Sequence, residues 1–181
     1  QATGLTTTLS LRSMGGTFAH GKLDMGTRLL LNALPANMGG RILDHGCGNG
    51  VLGIVAALKG QPTQITFIDD AAAAIASTRV NAKRHLAAYD VHIAHTDSLI
   101  DVPNDSQDHV LNNPPFHDAA ARTPYLALKM FQDAYRVLRS GGNLWVVGNR
   151  HLAYHAKLRA LFGHCVPIGA HKKFVLLRAT K

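Results

Sequence analysis

Apolar residues along this chain fall into two alternating kinds of run. Short runs with β-branched residues occur at 41–45 (RILDH), 64–69 (QITFID), 91–95 (VHIAH), 109–112 (HVLN) and 143–148 (NLWVVG), and they have the length and composition of buried strands. Between them lie VLGIVAALKG (51–60), AAAAIASTRVNAKRHLAAY (71–89) and YLALKMFQDAYRVLRSGG (125–142). In these the apolar residues recur at helical spacing, and glycines close the first and last. Strand, helix and strand repeated in this order predict an α/β fold, a mostly parallel sheet with right-handed crossovers and helices on both faces. The end of the chain differs: after a helical stretch at 152–163, HCVPIGA (164–170) and KKFVLLRAT (172–180) follow each other with no helix between. They predict an antiparallel hairpin. The opening stretch, QATGLTTTLSLRSMGG, has neither period and starts without methionine. Residues 1–17 therefore read as a linker or fragment edge and 18–181 as the folded domain.

Composition narrows the class. A chain of 181 residues with 46% hydrophobic and 17% charged residues is long enough for one packed core and too apolar for a disordered segment. Its two cysteines, Cys47 and Cys165, form no ligand cluster, so free thiols in a reducing compartment are expected. No apolar run approaches the roughly 20 residues of a membrane span, and no signal-peptide core is present. The expected location is cytoplasmic, with no membrane partner. His151 and His155 stand four apart on a helix but have no third ligand, so no metal site is expected. The net charge of +8 favours a polyanionic partner such as nucleic acid.

Candidate chemistry gathers where the strands end. LDHGCGNGVLG puts Gly46, Gly48 and Gly50 directly after the first strand and before a helix. Glycines allow a sharp turn and close approach of a ligand, and the helix start offers unpaired N–H groups. Asp44 stands just before this turn, where a carboxylate attracts a cation and is of little use to a pyrophosphate. Asp69 and Asp70 end the second strand, in position to accept the two hydroxyls of a ribose. Asp97 and Ser98 follow the third, in reach of an adenine amine. Carboxylates at three successive strand ends fit an adenosyl ligand with a positive reactive group, namely S-adenosyl-L-methionine.

The fourth strand runs into Asn113-Pro114-Pro115-Phe116. Two prolines stiffen this loop and remove N–H donors, so the backbone presents carbonyls, while Asn113 adds an amide oxygen. Such a loop suits a planar substrate bearing an NH2 group, held by Asn113 and the Pro114 carbonyl, with its ring stacked on Phe116. A delocalised NH2 is a poor nucleophile. Two acceptors favour the pyramidal geometry in which its lone pair can attack a methyl group.

With ILDHGCGNG, FIDD, TDS and NNPPFHD in view, the chain resembles the class I S-adenosylmethionine-dependent methyltransferases acting on planar NH2 groups. Within them it is similar to the catalytic half of bacterial ribosomal RNA (guanine-N2)-methyltransferases. GNRHLAYHAKLRALFGHC and KKFVLLRA bring it nearest the large-subunit, 23S type. The resemblance implies a Rossmann-like, seven-stranded sheet, methyl transfer to guanine N2 and 23S ribosomal RNA as partner. It also implies an amino-terminal, degenerate methyltransferase-like half that is not in this chain. FAHGKLDMG resembles a family segment whose Phe18 and Asp24 would help close the site over the methionine end, though Ala19, His20 and Lys22 depart from the family pattern. His45 likewise stands where an apolar residue is usual.

Lys129, Arg136, Arg139, Arg150, Lys157, Arg159, Lys172 and Lys173 are candidate phosphate contacts. Alternatives are methylation of another NH2, on 16S ribosomal RNA guanine, DNA adenine or protein glutamine, and a non-catalytic RNA-binding scaffold.

Overall fold

The computed structural model describes residues 9–15, 23–115 and 123–181. Seven strands form one sheet: β1 (Gly39–His45), β2 (Gln61–Asp69), β3 (Val91–His95), β4 (Gln107–Asn112), β5 (Leu138–Asn149), β6 (His164–Ala170) and β7 (Phe174–Thr180). The order across the sheet is β3-β2-β1-β4-β5-β7-β6. The first five strands pair in parallel, and β7 inserts antiparallel between β5 and β6. The expected hairpin and mixed sheet are therefore present.

Helices α1 (Met25–Ala33), α2 (Val51–Lys59) and α3 (Ala72–His85) cover one face; α4 (Thr123–Val137) and α5 (Tyr154–Phe162) cover the other. The central strands are buried on both sides, which is why they read as unbroken apolar runs. Ile42 packs into the core beneath α1 to α3 while its neighbour Leu43 packs beneath α4 and α5; Val147 and Val146, and Leu176 and Leu177, divide the same way.

Three boundaries depart from the sequence reading. Helix α1 was not anticipated: Asp24 caps it by accepting the Thr27 N–H at 3.1 Å, and Lys59 tethers its far end by donating to the carbonyls of Leu31 and Leu34. Strand β5 starts at Leu138, where the sequence was read as helix. There the paired glycines extend the sheet instead of closing a helix, because Gly141 N–H donates to the Lys181 carbonyl and Lys181 N–H to that of Gly142.

The third departure concerns residues 9–15, set aside above as part of a linker. They lie strapped along α3. The Asn81 amide accepts from Arg12 N–H and donates back to the Arg12 carbonyl, both at 2.8 Å, and donates a further bond to the Asn49 carbonyl. Met14 N–H donates to Ser77 Oγ. Asn81 is fully buried, so its side chain acts as a short piece of strand, pairing a backbone that has no sheet neighbour. Asn81→Ala is expected to raise the exchange rate of the Arg12 amide roughly 10- to 100-fold, the loss of bonds worth about 1 kcal/mol each. Hydrogen exchange read by NMR checks this; unchanged protection at Arg12 would mean the strap is held by its side chains alone.

Candidate active site

The carboxyl ends of β1, β2, β3 and β4 open into a cavity of about 730 Å³, a size typical of small-molecule sites. Its walls come from the glycine turn, the loops after β2, β3 and β4, the strap residues Leu9, Leu11 and Ser13, and the first turns of α1 and α4. This edge is where open α/β sheets bind ligands, since successive crossovers leave a crevice beyond the strand ends.

The turn holds three left-handed glycines, with φ of 74° at Gly46, 58° at Gly48 and 82° at Gly50. Side chains rarely adopt that conformation, so the glycines are required by the backbone path. The turn's N–H groups are largely spent. Gly46 and Cys47 both donate to the Ile68 carbonyl, Gly48 donates to Asp69 Oδ2 at 2.8 Å, and Gly50 donates to the Cys47 carbonyl. The start of α2 is similarly engaged, with Val51 N–H on Asn49 Oδ1 and Gly53 N–H on Asp44 Oδ2 at 2.8 Å. The expectation of free helix N–H groups is thus corrected, and a phosphate cradle is not what this turn provides.

Electrostatics point the same way. Asp24, Asp69, Asp70 and Asp97 line the cavity, and no lysine or arginine does among the described residues. A chain with a net charge of +8 thus carries an acidic cavity, suited to a small cationic ligand rather than to a polyanion. Asp69 also braces the architecture, accepting Gly48 N–H with one oxygen and Ala71 N–H at 2.9 Å with the other. Each oxygen keeps a further lone pair for a ligand hydroxyl.

Of the residues singled out in the sequence, Asp24, Gly46, Gly48, Asp69, Asp70, Asp97, Asn113 and Pro115 converge on this cavity. Asp44 does not reach its wall. It is fully buried and turned toward α2, because it shares a strand face with Ile42, and burial pushes its carboxyl up to about 7 against the pull of the Gly53 N–H. Gly50 serves the turn, where a Cβ would meet the Thr78 side chain at 3.1 Å. Ser98 Oγ accepts Ile100 N–H and caps its own loop. Pro114 is buried outside the lining. Phe18 and Phe116 lie outside the described residues.

Other lining residues went unremarked, among them Thr27, Asn49, Thr96 and Met130. His45 lines the cavity from the face opposite Asp44. It is held neutral, its pKa pushed down to about 4 by burial and then by Lys129. Asn113 sits half-buried at the end of β4 and donates from Nδ2 to Thr27 Oγ1 at 2.8 Å. Its Oδ1 is shielded from solvent and has no hydrogen-bond partner among the described residues.

Three of the candidate phosphate contacts have partners within the fold, Arg150 donating to the His171 carbonyl at 3.5 Å. Arg136 donates to the carbonyls of Val102 and Leu99 and to Asn104 Oδ1, and Arg139 pairs with Asp108. Arg150, Arg159, Lys172 and Lys173 are exposed.

A parallel sheet ending in an antiparallel hairpin, with a glycine turn after β1 and an acidic cavity beyond the strand ends, defines a Rossmann-like methyltransferase fold. The chain belongs to the methyltransferase small domain family, whose model matches residues 8–178. It is 46% identical over 167 residues to the ribosomal RNA large subunit methyltransferase G of Streptomyces coelicolor, covering 92% of this chain and 44% of that protein. It is 41% identical over 177 residues to the protein of the same name from Aeromonas salmonicida, covering 97% and 47%. The chain therefore spans about half the length of the curated relatives it matches.

Among solved structures, the T. thermophilus 16S rRNA N2 G1207 methyltransferase in complex with AdoMet and guanosine superposes with a TM-score of 0.76 at 24% identity, over 94% of this chain and 47% of that one. The precorrin-6y C5,15-methyltransferase of Geobacter metallireducens superposes at 0.66 with 15% identity, over 94% of each. These two likenesses concern the fold.

Proposed function

We propose that this chain is the catalytic part of an enzyme that transfers a methyl group from S-adenosyl-L-methionine to the exocyclic N2 amine of a guanine in 23S ribosomal RNA. The observation that carries the reading is the shielded, unpartnered Oδ1 of Asn113. A buried acceptor with no partner costs stability unless something else satisfies it, and a planar NH2 group entering from the cavity would do so.

The residues present fit the cofactor. Asp69 would accept the ribose hydroxyls, helped by Asp70, and Asp97 the adenine amine. Gly46 and Gly48 would let the adenosyl group lie against the turn, and Asp24 would face the methionine end. The cofactor supplies an electrophilic methyl on a sulfonium. The protein supplies position and acceptors. Asn113 would pull the amine toward pyramidal geometry, and Phe116 would stack on the base. When bound, the cofactor would give that methyl to the amine nitrogen and leave as a neutral thioether, and the proton displaced from the nitrogen would pass to water. Holding the two reactants in line accounts for roughly 7 to 11 kcal/mol of barrier lowering in well-oriented cases.

The exposed Arg150, Arg159, Lys172 and Lys173 would meet RNA phosphates outside the acidic cavity, together with the amino-terminal half that the family resemblance implies. A ribosomal RNA substrate would put the enzyme in the cytoplasm. Among the described residues no helix is long and apolar enough to cross a membrane.

The test has two parts. Calorimetric titration with S-adenosylmethionine should show saturable binding. Methyl transfer by the protein carrying its amino-terminal half, offered unmodified 23S RNA, 16S RNA, DNA and a glutamine peptide separately, should favour 23S RNA and yield N2-methylguanine. Transfer to adenine or glutamine would overturn the substrate, and absence of both binding and transfer would favour an RNA-binding scaffold.

A further inference from the structure

An asparagine amide has two ends of nearly the same shape and opposite hydrogen-bonding character. With its oxygen toward the cavity, Asn113 accepts from a substrate NH2; turned over, it would set a donor against a donor. Nothing in the Asn113 side chain itself chooses between these, so the choice rests on what touches the other end.

That neighbour is Thr27 of α1, whose Oγ1 lies 2.8 Å from Asn113 Nδ2. A hydroxyl alone would not decide, because it can donate or accept. The decision falls one bond further on. The Thr27 hydroxyl also hydrogen-bonds Asp24 Oδ2, while Asp24 Oδ1 accepts the Thr27 backbone N–H at 3.1 Å. A carboxylate only accepts, so the single hydroxyl proton of Thr27 is committed to Asp24. Thr27 Oγ1 is left as an acceptor, and the end of Asn113 facing it must be the NH2. Oδ1 is thereby the end that faces away from Thr27, the one left without a hydrogen-bond partner among the described residues.

The arm that carries this chain of bonds is held in place. Thr27 is 5% exposed, so little water can reach it to compete with Asp24. Asp24 is fixed as the cap of α1, and Gly26 brings that first turn against β5: a Cβ there would meet Asp24 Oδ1 at 3.1 Å and Val147 at 3.4 Å. Helix α1 thus delivers an oriented acceptor to a loop 86 residues away in sequence.

We infer that Thr27 is a positioning residue for methyl transfer, fixing through Asp24 which face Asn113 presents to the target amine. The inference rests on the function proposed above, in which Asn113 Oδ1 receives that amine.

Thr27→Val and Thr27→Ser are compared with wild type and Asn113→Ala in the complete protein. Valine keeps the branched shape and loses the hydroxyl; serine keeps the hydroxyl. Thr27→Val is expected to lower kcat roughly 10- to 100-fold, the scale of a misoriented reactive contact, with KM for RNA and affinity for S-adenosylmethionine within about twofold of wild type. Thr27→Ser should retain most of the wild-type kcat. Wild-type turnover by Thr27→Val, an equal loss in both Thr27 variants, or a loss of cofactor binding in Thr27→Val would each overturn the positioning role. If Asn113→Ala is inactive while Thr27→Val turns over normally, only this inference falls. If Asn113→Ala itself methylates at the wild-type rate, the role given to Asn113 falls and this inference with it.

Discussion

An Asp69→Ala variant is expected to bind S-adenosylmethionine roughly 100-fold or more weakly than wild type, because in the proposed function Asp69 would be the charged acceptor for two ribose hydroxyls worth about 1.5 kcal/mol or more each. The same change also harms the unliganded chain. Asp69 accepts Gly48 N–H and Ala71 N–H with its two oxygens, so truncation orphans one donor in the glycine turn and one just before α3. A stability loss of about 2 to 4 kcal/mol follows, at the lower end if water from the cavity reaches Gly48. Asparagine is a poor rescue, since its NH2 must face one of the two N–H groups. Calorimetric titration measures the first effect and urea unfolding the second. Wild-type affinity in a folded Asp69→Ala chain would sink the placement of the ribose on β2.

The strands were legible in the sequence because burial on both faces removes the usual alternation. Strands β1 and β4 bury successive residues in this way, Ile42 with Leu43 and Val110 with Leu111, while the edge strands β3 and β6 are only partly buried yet begin and end where their runs do. Helix α1 was not, since the unbroken run Leu29-Leu30-Leu31 masks the four-residue spacing of the buried Gly26, Leu30 and Leu34, and its start depends on the Asp24 cap. The cavity was legible as a set of strand ends, which is why Asp69, Asp97 and Asn113 fell on its wall. Nearness to the turn points Asp44 at the cavity, but strand parity turns it away. Side chains on a strand alternate, so Asp44 follows Ile42 toward α2 while His45 follows Leu43 toward α4 and the cavity. The link from Asp24 through Thr27 to Asn113 joins residues that no local pattern relates, and only the folded arrangement exposes it.

Parity also gives this pair of neighbours opposite titrations. Buried Asp44 has its pKa pushed up to about 7, chiefly by desolvation and further by Asp69, and buried His45 has its pKa pushed down to about 4 by desolvation and by Lys129. In the unfolded chain the ordinary values are about 3.9 and about 6.5. Between those values the unfolded chain carries an ionised Asp44 and a protonated His45, while the folded chain carries both neutral. Folding there takes up a proton at Asp44 and releases one at His45, with no net change. Stability contributed by Asp44 falls as pH rises from about 4 to about 7, because the folded state binds the extra proton. Stability contributed by His45 rises over about pH 4 to 6.5, because the unfolded state does. Each amounts to roughly 3 to 4 kcal/mol, and in wild type they largely cancel.

Single variants should uncover the halves. Asp44→Asn keeps an acceptor for Gly53 N–H, and its unfolding free energy relative to wild type should rise by about 3 kcal/mol between pH 4 and 6.5. His45→Leu leaves the bond from Asn112 Nδ2 to the residue-45 carbonyl in place, and its difference curve should run the opposite way by a similar amount. Urea unfolding across this range reads both. A difference curve flat from pH 4 to 7 would mean that the group its variant replaces titrates in the folded chain as it does in the unfolded one, and the cancellation would be lost with it.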